Sequence, residues 1–163
     1  MRAGHGVAAG AEIFSLLMIE ITAKIEPGAT VEVRDKLELP YELRQKRWLR
    51  ARLKSGEEVA LKLKRGETLR AGDLLAAPDG GAIEVTAAPE KVIHAECASS
   101  LELARAAYHL GNRHVAVQLG YGFLRIVEDH VLEEMLRGLD LKLSHVEVPF
   151  EPEMGAYSGE RHK

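Results

Sequence analysis

The side chains in this sequence that could do chemistry are mostly imidazoles. Seven histidines stand against a single cysteine, Cys97, in 163 residues. One cysteine cannot form an intramolecular disulfide or a cysteine-based structural zinc site within one chain. If the protein handles a metal ion, we therefore expect histidine to supply the ligands.

The most informative histidines are His114 and His130. The sequence predicts that His114 is the first residue of a strand, directly after a helix that Gly111 caps in the left-handed conformation. His130 is predicted in the first turn of the next helix, with Asp129 as its N-cap. The positive end of a helix dipole favours the neutral ring that a metal requires. His109 lies near a helix end, where the dipole favours protonation instead.

One imidazole per chain cannot satisfy a transition metal. A two-fold axis beside His114 would bring two copies of it together, and the C-terminal tail could contribute His162. The simpler interpretation of a lone surface histidine is solvation or a structural hydrogen bond. No HxxxH or HExxH spacing strengthens the metal hypothesis, so spacing alone favours the simpler interpretation.

The other histidines are expected to play no part in metal binding. His5 lies in an N-terminal extension, and His94 and His109 are predicted to be solvated. His145 is predicted to pack beside the leucines that share its strand face.

No arrangement of side chains predicts catalysis. Ser99 is better explained as a helix N-cap than as a nucleophile. Glu133 and the glutamate after it are expected on the solvated side of their helix. Cys97 lacks a base, because His94 would point to the opposite face of the strand. We therefore expect that the protein is not an enzyme.

A second notable segment, residues 44–54, holds six basic residues and the single tryptophan, Trp48. It could form a surface for RNA or an acidic partner, with Trp48 available for stacking. The alternative is a solvated strand edge whose charges prevent edge-to-edge pairing. The formal net charge of −3 favours the alternative and gives no general attraction to nucleic acid or membranes.

The elements that position these residues fall into two predicted domains, so the fold class is α+β. Residues 18–88 show short period-2 apolar runs separated by Gly and Pro turns, which predicts an all-β domain without a helix. Residues 89–155 predict a ferredoxin-like βαββαβ domain. Its helices begin at the capping residues Ser99 and Asp129, and its strands cover 91–96, 114–118, 123–127 and 141–148.

The two ends of the sequence are predicted to lie outside the domains. The apolar run of residues 1–17 is short, interrupted and barely preceded by positive charge, which argues against a signal peptide. We expect this segment to be an extension that is disordered or introduced by cloning. Residues 156–163 are expected to form a flexible polar tail. No stretch approaches the roughly 20 apolar residues of a membrane span, and we expect a cytoplasmic protein.

Five segments together resemble the urease accessory protein UreE family of nickel metallochaperones. They are LPYELRQK (39–46), RGETLRAGDLL (65–75), AAYHLGNRHVAVQ (106–118), DHVLEEML (129–136) and PFEPEMGAY (149–157). They occur in the expected order and extend over nearly the whole chain.

The resemblance implies a β domain like the peptide-binding domain of heat-shock co-chaperones, followed by a ferredoxin-like metal-binding domain. It implies a homodimer, with a dimer of dimers left open, that holds Ni²⁺ between subunits; Zn²⁺ or Cu²⁺ could substitute. The central ligand falls on His114 of both subunits and a secondary ligand on His130. The implied partners are urease apoprotein and accessory proteins that include the GTPase UreG.

The sequence departs from the family pattern at two places. The C-terminal tail ends in SGERHK, which leaves His162 as its one histidine, whereas many members carry a long His-rich tail. Arg47-Trp48 also replaces an expected Ser-Arg pair. Two other functions stay open: an RNA-binding module that uses the ferredoxin-like sheet and residues 44–54, and a urease-assembly adaptor whose metal binding is incidental.

Overall fold

The computed structural model describes residues 18–155. The expectations for residues 1–17 and 156–163 therefore lie outside the described residues. The chain divides into two compact units, with the boundary between Thr86 and Ala87.

The first unit contains two three-stranded sheets. Its strands are β1 (Ile19–Ile21), β2 (Val33–Leu39), β3 (Trp48–Arg52), β4 (Glu58–Lys62), β5 (Leu74–Ala76) and β6 (Ala82–Ala87). The strand orders are β1-β4-β3 and β2-β6-β5. The predicted alternation is visible in β4, where Val59 and Leu61 are buried and their neighbours face outward.

A one-turn helix, α1 (Tyr41–Arg44), interrupts the strands that the sequence predicts for this unit. It follows Pro40, whose carbonyl accepts hydrogen bonds from the N–H groups of Leu43 and Arg44, each at 3.1 Å. The prediction of a domain without a helix was wrong here, because four residues are too few to show a 3.6-residue period.

The second unit has the element order that the sequence predicts. It consists of β7 (Pro89–Glu96), α2 (Ser100–Gly111), β8 (Gln118–Gly120), β9 (Phe123–Val127), α3 (His130–Gly138) and β10 (Lys142–Pro149). The strands form one antiparallel sheet in the order β10-β7-β9-β8. No helix of the described residues is long and apolar enough to cross a membrane.

Both helices of this unit bury one apolar stripe. Ala106 and Leu110 of α2 and Leu132 and Leu136 of α3 share a core cluster with sheet residues such as Ile93. Val131, one position before Leu132, is half-exposed. The stripe follows the i, i+4 spacing of Leu132 and Leu136.

The predicted N-caps are confirmed. The Ser99 Oγ accepts the N–H of Glu102 at 3.2 Å, and the Glu102 carboxylate accepts the N–H of Ala98 at 2.7 Å. The Asp129 Oδ1 accepts the N–H groups at the start of α3, including that of Leu132 at 2.9 Å. These bonds satisfy donors that lack partners in the first helical turn.

Candidate functional site

His114 lies in the turn that ends α2 rather than in a strand. The His114 N–H donates to the Gly111 carbonyl at 3.0 Å, and the Val115 N–H donates to the Leu110 carbonyl at 3.4 Å. This pair of bonds is the Schellman arrangement, in which one residue must adopt the left-handed conformation. That residue is His114, with φ +55°.

The predicted local geometry around His114 was therefore wrong in two respects. Gly111 is the last helical residue and does not have a positive φ. The following strand begins at Gln118, four residues after His114. A glycine at the end of an apolar stripe resembles a helix C-cap in sequence. Which residue adopts the left-handed conformation depends on the path that the chain takes to the next strand.

The His114 side chain is exposed, and its ring has no hydrogen-bond partner among residues 18–155. Histidine is one of the few residue types besides glycine that tolerate the left-handed region. The two cap hydrogen bonds fix the backbone on either side, so the ring projects into solvent from a defined position.

His130 occupies the first position of α3, as predicted, and its side chain is exposed. In the part of the chain that the structure describes, no group of three or more His, Cys, Asp or Glu side chains could hold a metal ion. His114 and His130 therefore do not combine into a complete site within one chain. His162 lies outside the described residues.

The segment after β10 brings the end of the described chain beside the residues that follow His114. The Glu153 N–H donates to the Val117 carbonyl at 2.8 Å, and the Glu151 N–H donates to the Gln118 side chain at 3.4 Å. Phe150 is fully buried and anchors this segment. Residue 156, the first residue of the predicted tail that carries His162, follows Glu153 by three positions.

Two apolar side chains are exposed along one face of α2. Leu101 is 64% exposed and Tyr108 is 66% exposed, and their spacing of seven residues places them on the same face. The Tyr108 ring contacts that of His109 edge to face, with centroids 5.4 Å apart. His109 is exposed, as predicted.

His145 was predicted to pack on its strand, and this prediction was wrong. Its side chain is half-exposed, with Nδ1 2.8 Å from the Glu128 carboxylate and Nε2 3.1 Å from the Glu133 carboxylate. Hydrogen bonds with Glu128 and then Glu133 raise the pKa of His145 above its usual value. Glu133 was expected to be solvated, but its side chain is only 15% exposed because it also bonds Arg137.

His94 was predicted to be solvated, and this prediction was also wrong. It is partly buried and stacks on Phe123 with ring centroids 4.8 Å apart, and its Nδ1 accepts the Arg125 Nε–H at 3.1 Å. Burial, with a smaller contribution from the Arg125 charge, lowers the pKa of His94. The partners lie about 30 positions away, so no local pattern could show them.

Cys97 is buried, and burial followed by the Glu102 charge raises the pKa of its thiol. A raised thiol pKa disfavours the thiolate that both nucleophilic attack and metal binding need.

The basic segment, residues 44–54, does not form one continuous charged surface. Arg44 is fully buried and its Nε donates to the Leu39 carbonyl at 3.2 Å. Arg52 pairs with Glu58 at 2.7 Å, and Lys54 pairs with Glu38 at 3.2 Å. β3 lies at the edge of its sheet, which is the position that the solvated-edge interpretation predicted.

Comparison with known proteins supplies the family context for this geometry. A family model described as "UreE urease accessory protein, N-terminal domain" matches residues 19–88, and one described as "UreE urease accessory protein, C-terminal domain" matches residues 90–163. The chain is 52% identical to the urease accessory protein UreE of Azotobacter vinelandii over 148 residues, which cover 90% of this chain and 87% of the relative. It is 49% identical to that of Alkalilimnicola ehrlichii over 142 residues, which cover 87% and 86%.

Proposed function

Because the chain belongs to the UreE family of urease accessory proteins, we propose that it binds Ni²⁺ and delivers the ion to urease apoprotein. Membership gives it a role in urease maturation and makes it an accessory chaperone rather than an enzyme. The finer proposal concerns the cargo of that chaperone and the residues that hold it.

The proposal depends above all on His114. Its ring is exposed and unpaired among the described residues, while its backbone is fixed by two cap hydrogen bonds. A metal that must be passed on needs ligands that are well positioned but accessible, and an exposed imidazole on a fixed turn satisfies both needs. Imidazole binds nickel well, but Cu²⁺ and Zn²⁺ also accept it, so both could substitute.

A homodimer would supply the second imidazole. The exposed apolar stripe formed by Leu101 and Tyr108 is the kind of surface that a second copy would cover. The stripe runs along α2 toward His114, so pairing two copies across it with their α2 helices parallel would bring both His114 residues near the two-fold axis. One ion would then be held between the subunits, and a dimer of dimers could enclose a further shared site.

The tail could complete the coordination shell. The described chain ends at Gly155, two positions after the Glu153 that bonds Val117, and His162 follows Gly155 by seven positions. A chain extends by at most about 3.3–3.6 Å per residue, so His162 could reach a site up to about 25 Å away. His130, at the positive end of α3, is proposed as a secondary ligand because that dipole favours its neutral ring.

Transfer is proposed to take place in the cytoplasm, within a complex that contains urease apoprotein and the GTPase UreG. A site built from few protein ligands releases its ion more readily than a closed four-ligand site. Selectivity for nickel over copper must then come from geometry and from the delivery complex, since copper binds such ligands more tightly.

The direct test is isothermal calorimetry of Ni²⁺ binding to His114→Ala. We expect the variant to lose the tightest metal equivalent per dimer while its far-UV circular dichroism stays unchanged. His109→Ala is the matched control, because that histidine is also exposed near the end of α2 and should leave the affinity intact. Unchanged nickel affinity in His114→Ala would contradict the proposal.

Urease activation distinguishes a chaperone from an adaptor with incidental metal binding. At limiting nickel, a chaperone that has lost His114 should activate urease poorly, and excess nickel should restore activation. Full activation by the variant at limiting nickel would favour the adaptor instead.

A further inference from the structure

The outer edge of β3 presents backbone groups that no strand of residues 18–155 pairs with. β3 pairs with β4 on one side, and no described strand pairs with its other side. The Leu63 N–H donates to the Arg47 carbonyl at 2.9 Å, and the Leu53 N–H donates to the Glu57 carbonyl at 2.8 Å. These two bonds determine which residues of β3 direct their backbone N–H and C=O groups toward β4. Alternate residues of an antiparallel strand direct these groups toward the same neighbouring strand.

By that alternation, Trp48, Arg50 and Arg52 direct their N–H and C=O groups away from β4. All three also share one face of the sheet, since their positions differ by two. An added strand would therefore meet their backbone groups at its edge and their side chains on one face.

A depression of about 380 Å³ lies on the same face. It is bounded by Trp48 and Arg50 of β3 and by Lys62 of β4. The central strand contributes Ala60, which is the register partner of both Glu20 and Arg50. The small alanine side chain leaves this space open over the central strand, where Glu20 of β1 also lines it and pairs with Lys62 at 2.7 Å.

Trp48 is exposed although it is large and apolar. Its side chain is 65% exposed, and the Lys62 Nζ lies 5.6 Å from the centre of its ring. Exposed tryptophans beside charged groups are enriched at protein interfaces, where one ring supplies much contact area at little entropic cost.

The charge along this edge decides what could bind there. Arg47 and Arg50 are exposed and form no ion pair with any residue in 18–155, whereas Arg52 pairs with Glu58. Two unpaired cations beside the edge repel a second basic edge, so the same edge of another copy is disfavoured. Arg50, which shares the face of Trp48, attracts a segment that carries a carboxylate opposite it.

We propose that the β3 edge binds an acidic, extended segment of a partner protein as a fourth strand of the sheet. The backbone groups of Trp48, Arg50 and Arg52 supply the hydrogen bonds, as in other cases of strand addition. Arg50 pairs with a carboxylate of the added segment opposite it, and the Trp48 ring packs against the side chain of the added residue opposite Trp48. This interaction lies in the first unit and does not depend on the metal proposed for the second.

The test uses the full chain and a fluorescein-labelled alternating peptide, acetyl-(Glu-Val)₄-amide, with the corresponding Lys-Val peptide as its charge control. Fluorescence anisotropy should show the acidic peptide binding at least about tenfold more tightly. Arg50→Glu and Trp48→Ala should each weaken binding by about fivefold or more. Arg65→Glu makes the same charge change in an exposed turn of the same unit and should have no such effect.

N-methylated peptides separate strand addition from simple charge attraction. A glutamate opposite Arg50 directs its own N–H toward β3, whereas the valine N–H groups point away. Methylation of the glutamate nitrogens should therefore abolish binding, and methylation of the valine nitrogens should not. Equal binding of both methylated peptides would overturn the proposal, as would equal binding of the acidic and basic parent peptides.

Discussion

At the scale of single residues, His114 shows how a side chain is presented by backbone geometry. Glycine usually occupies the left-handed position of a helix cap, because a Cβ there costs roughly 1 kcal/mol. This chain places a histidine there, with φ +55°. Residues held in sparsely populated backbone regions concentrate at functional sites, which agrees with the role proposed for His114.

His145 gives a residue-scale prediction about pH. Both ring nitrogens face carboxylate oxygens, so both bonds form only when the ring is protonated. Its pKa is raised in the folded state by Glu128 and Glu133. The stabilisation is therefore fully present below the unfolded value of about 6.5 and is lost as pH rises through the raised pKa.

We expect His145→Gln to lower the urea midpoint relative to the unchanged protein at pH 5.5 and to have a smaller effect at pH 8.5. The measurement is equilibrium urea unfolding without metal, followed by circular dichroism. His109→Gln is the control, because that histidine has no carboxylate partner among residues 18–155. A destabilisation that grows with pH would have the wrong sign for this ion pair.

At the scale of elements, the end of α2 determines which glycine matters. Gly111 is helical, and a Cβ added to it would meet no heavy atom within 4 Å. By contrast, a Cβ on Gly120 would come within 2.2 Å of the Phe123 ring, so this glycine is required by packing. The two glycines look alike in sequence, but only the surroundings of Gly111 leave room for a Cβ.

We expect Gly111→Ala to raise the free energy of unfolding by about 0.5–1 kcal/mol, because alanine is the better helix former and strains nothing there. The same substitution would destabilise the protein if Gly111 held the left-handed cap position. Urea denaturation of the metal-free protein decides between the two signs, and Gly120→Ala provides a control that should be destabilising.

At the scale of the whole molecule, each unit provides a different surface. The second unit presents His114 and the apolar stripe of α2, and the first presents the edge of β3. Residues 18–155 of one chain do not complete the proposed metal site, so its affinity should depend on association of chains. We therefore expect metal binding and oligomeric state to be linked.

Sedimentation velocity with and without one Ni²⁺ per two chains tests that linkage. We expect Tyr108→Glu to shift the protein toward monomer, because it places a charge on the apolar stripe, and added Ni²⁺ to restore part of the dimer. A chain truncated after Tyr157 should stay dimeric while it binds nickel more weakly, because it keeps α2 and loses His162. A wild type that remains monomeric with nickel would contradict the two-fold site.

The sequence by itself determined the order of elements in the second unit, the two helix N-caps and the segments that mark the family. These depend on short-range patterns, since a cap bonds within three residues and an apolar stripe repeats within one or two turns. The sequence shows how many histidines the chain has, but their spacing could not predict which residues surround each ring. Only the tertiary structure paired His145 with two glutamates and His94 with Arg125, because those partners come from other elements. The structure also places the left-handed conformation at His114 rather than at Gly111. The path of the chain into β8 determines which residue ends the helix.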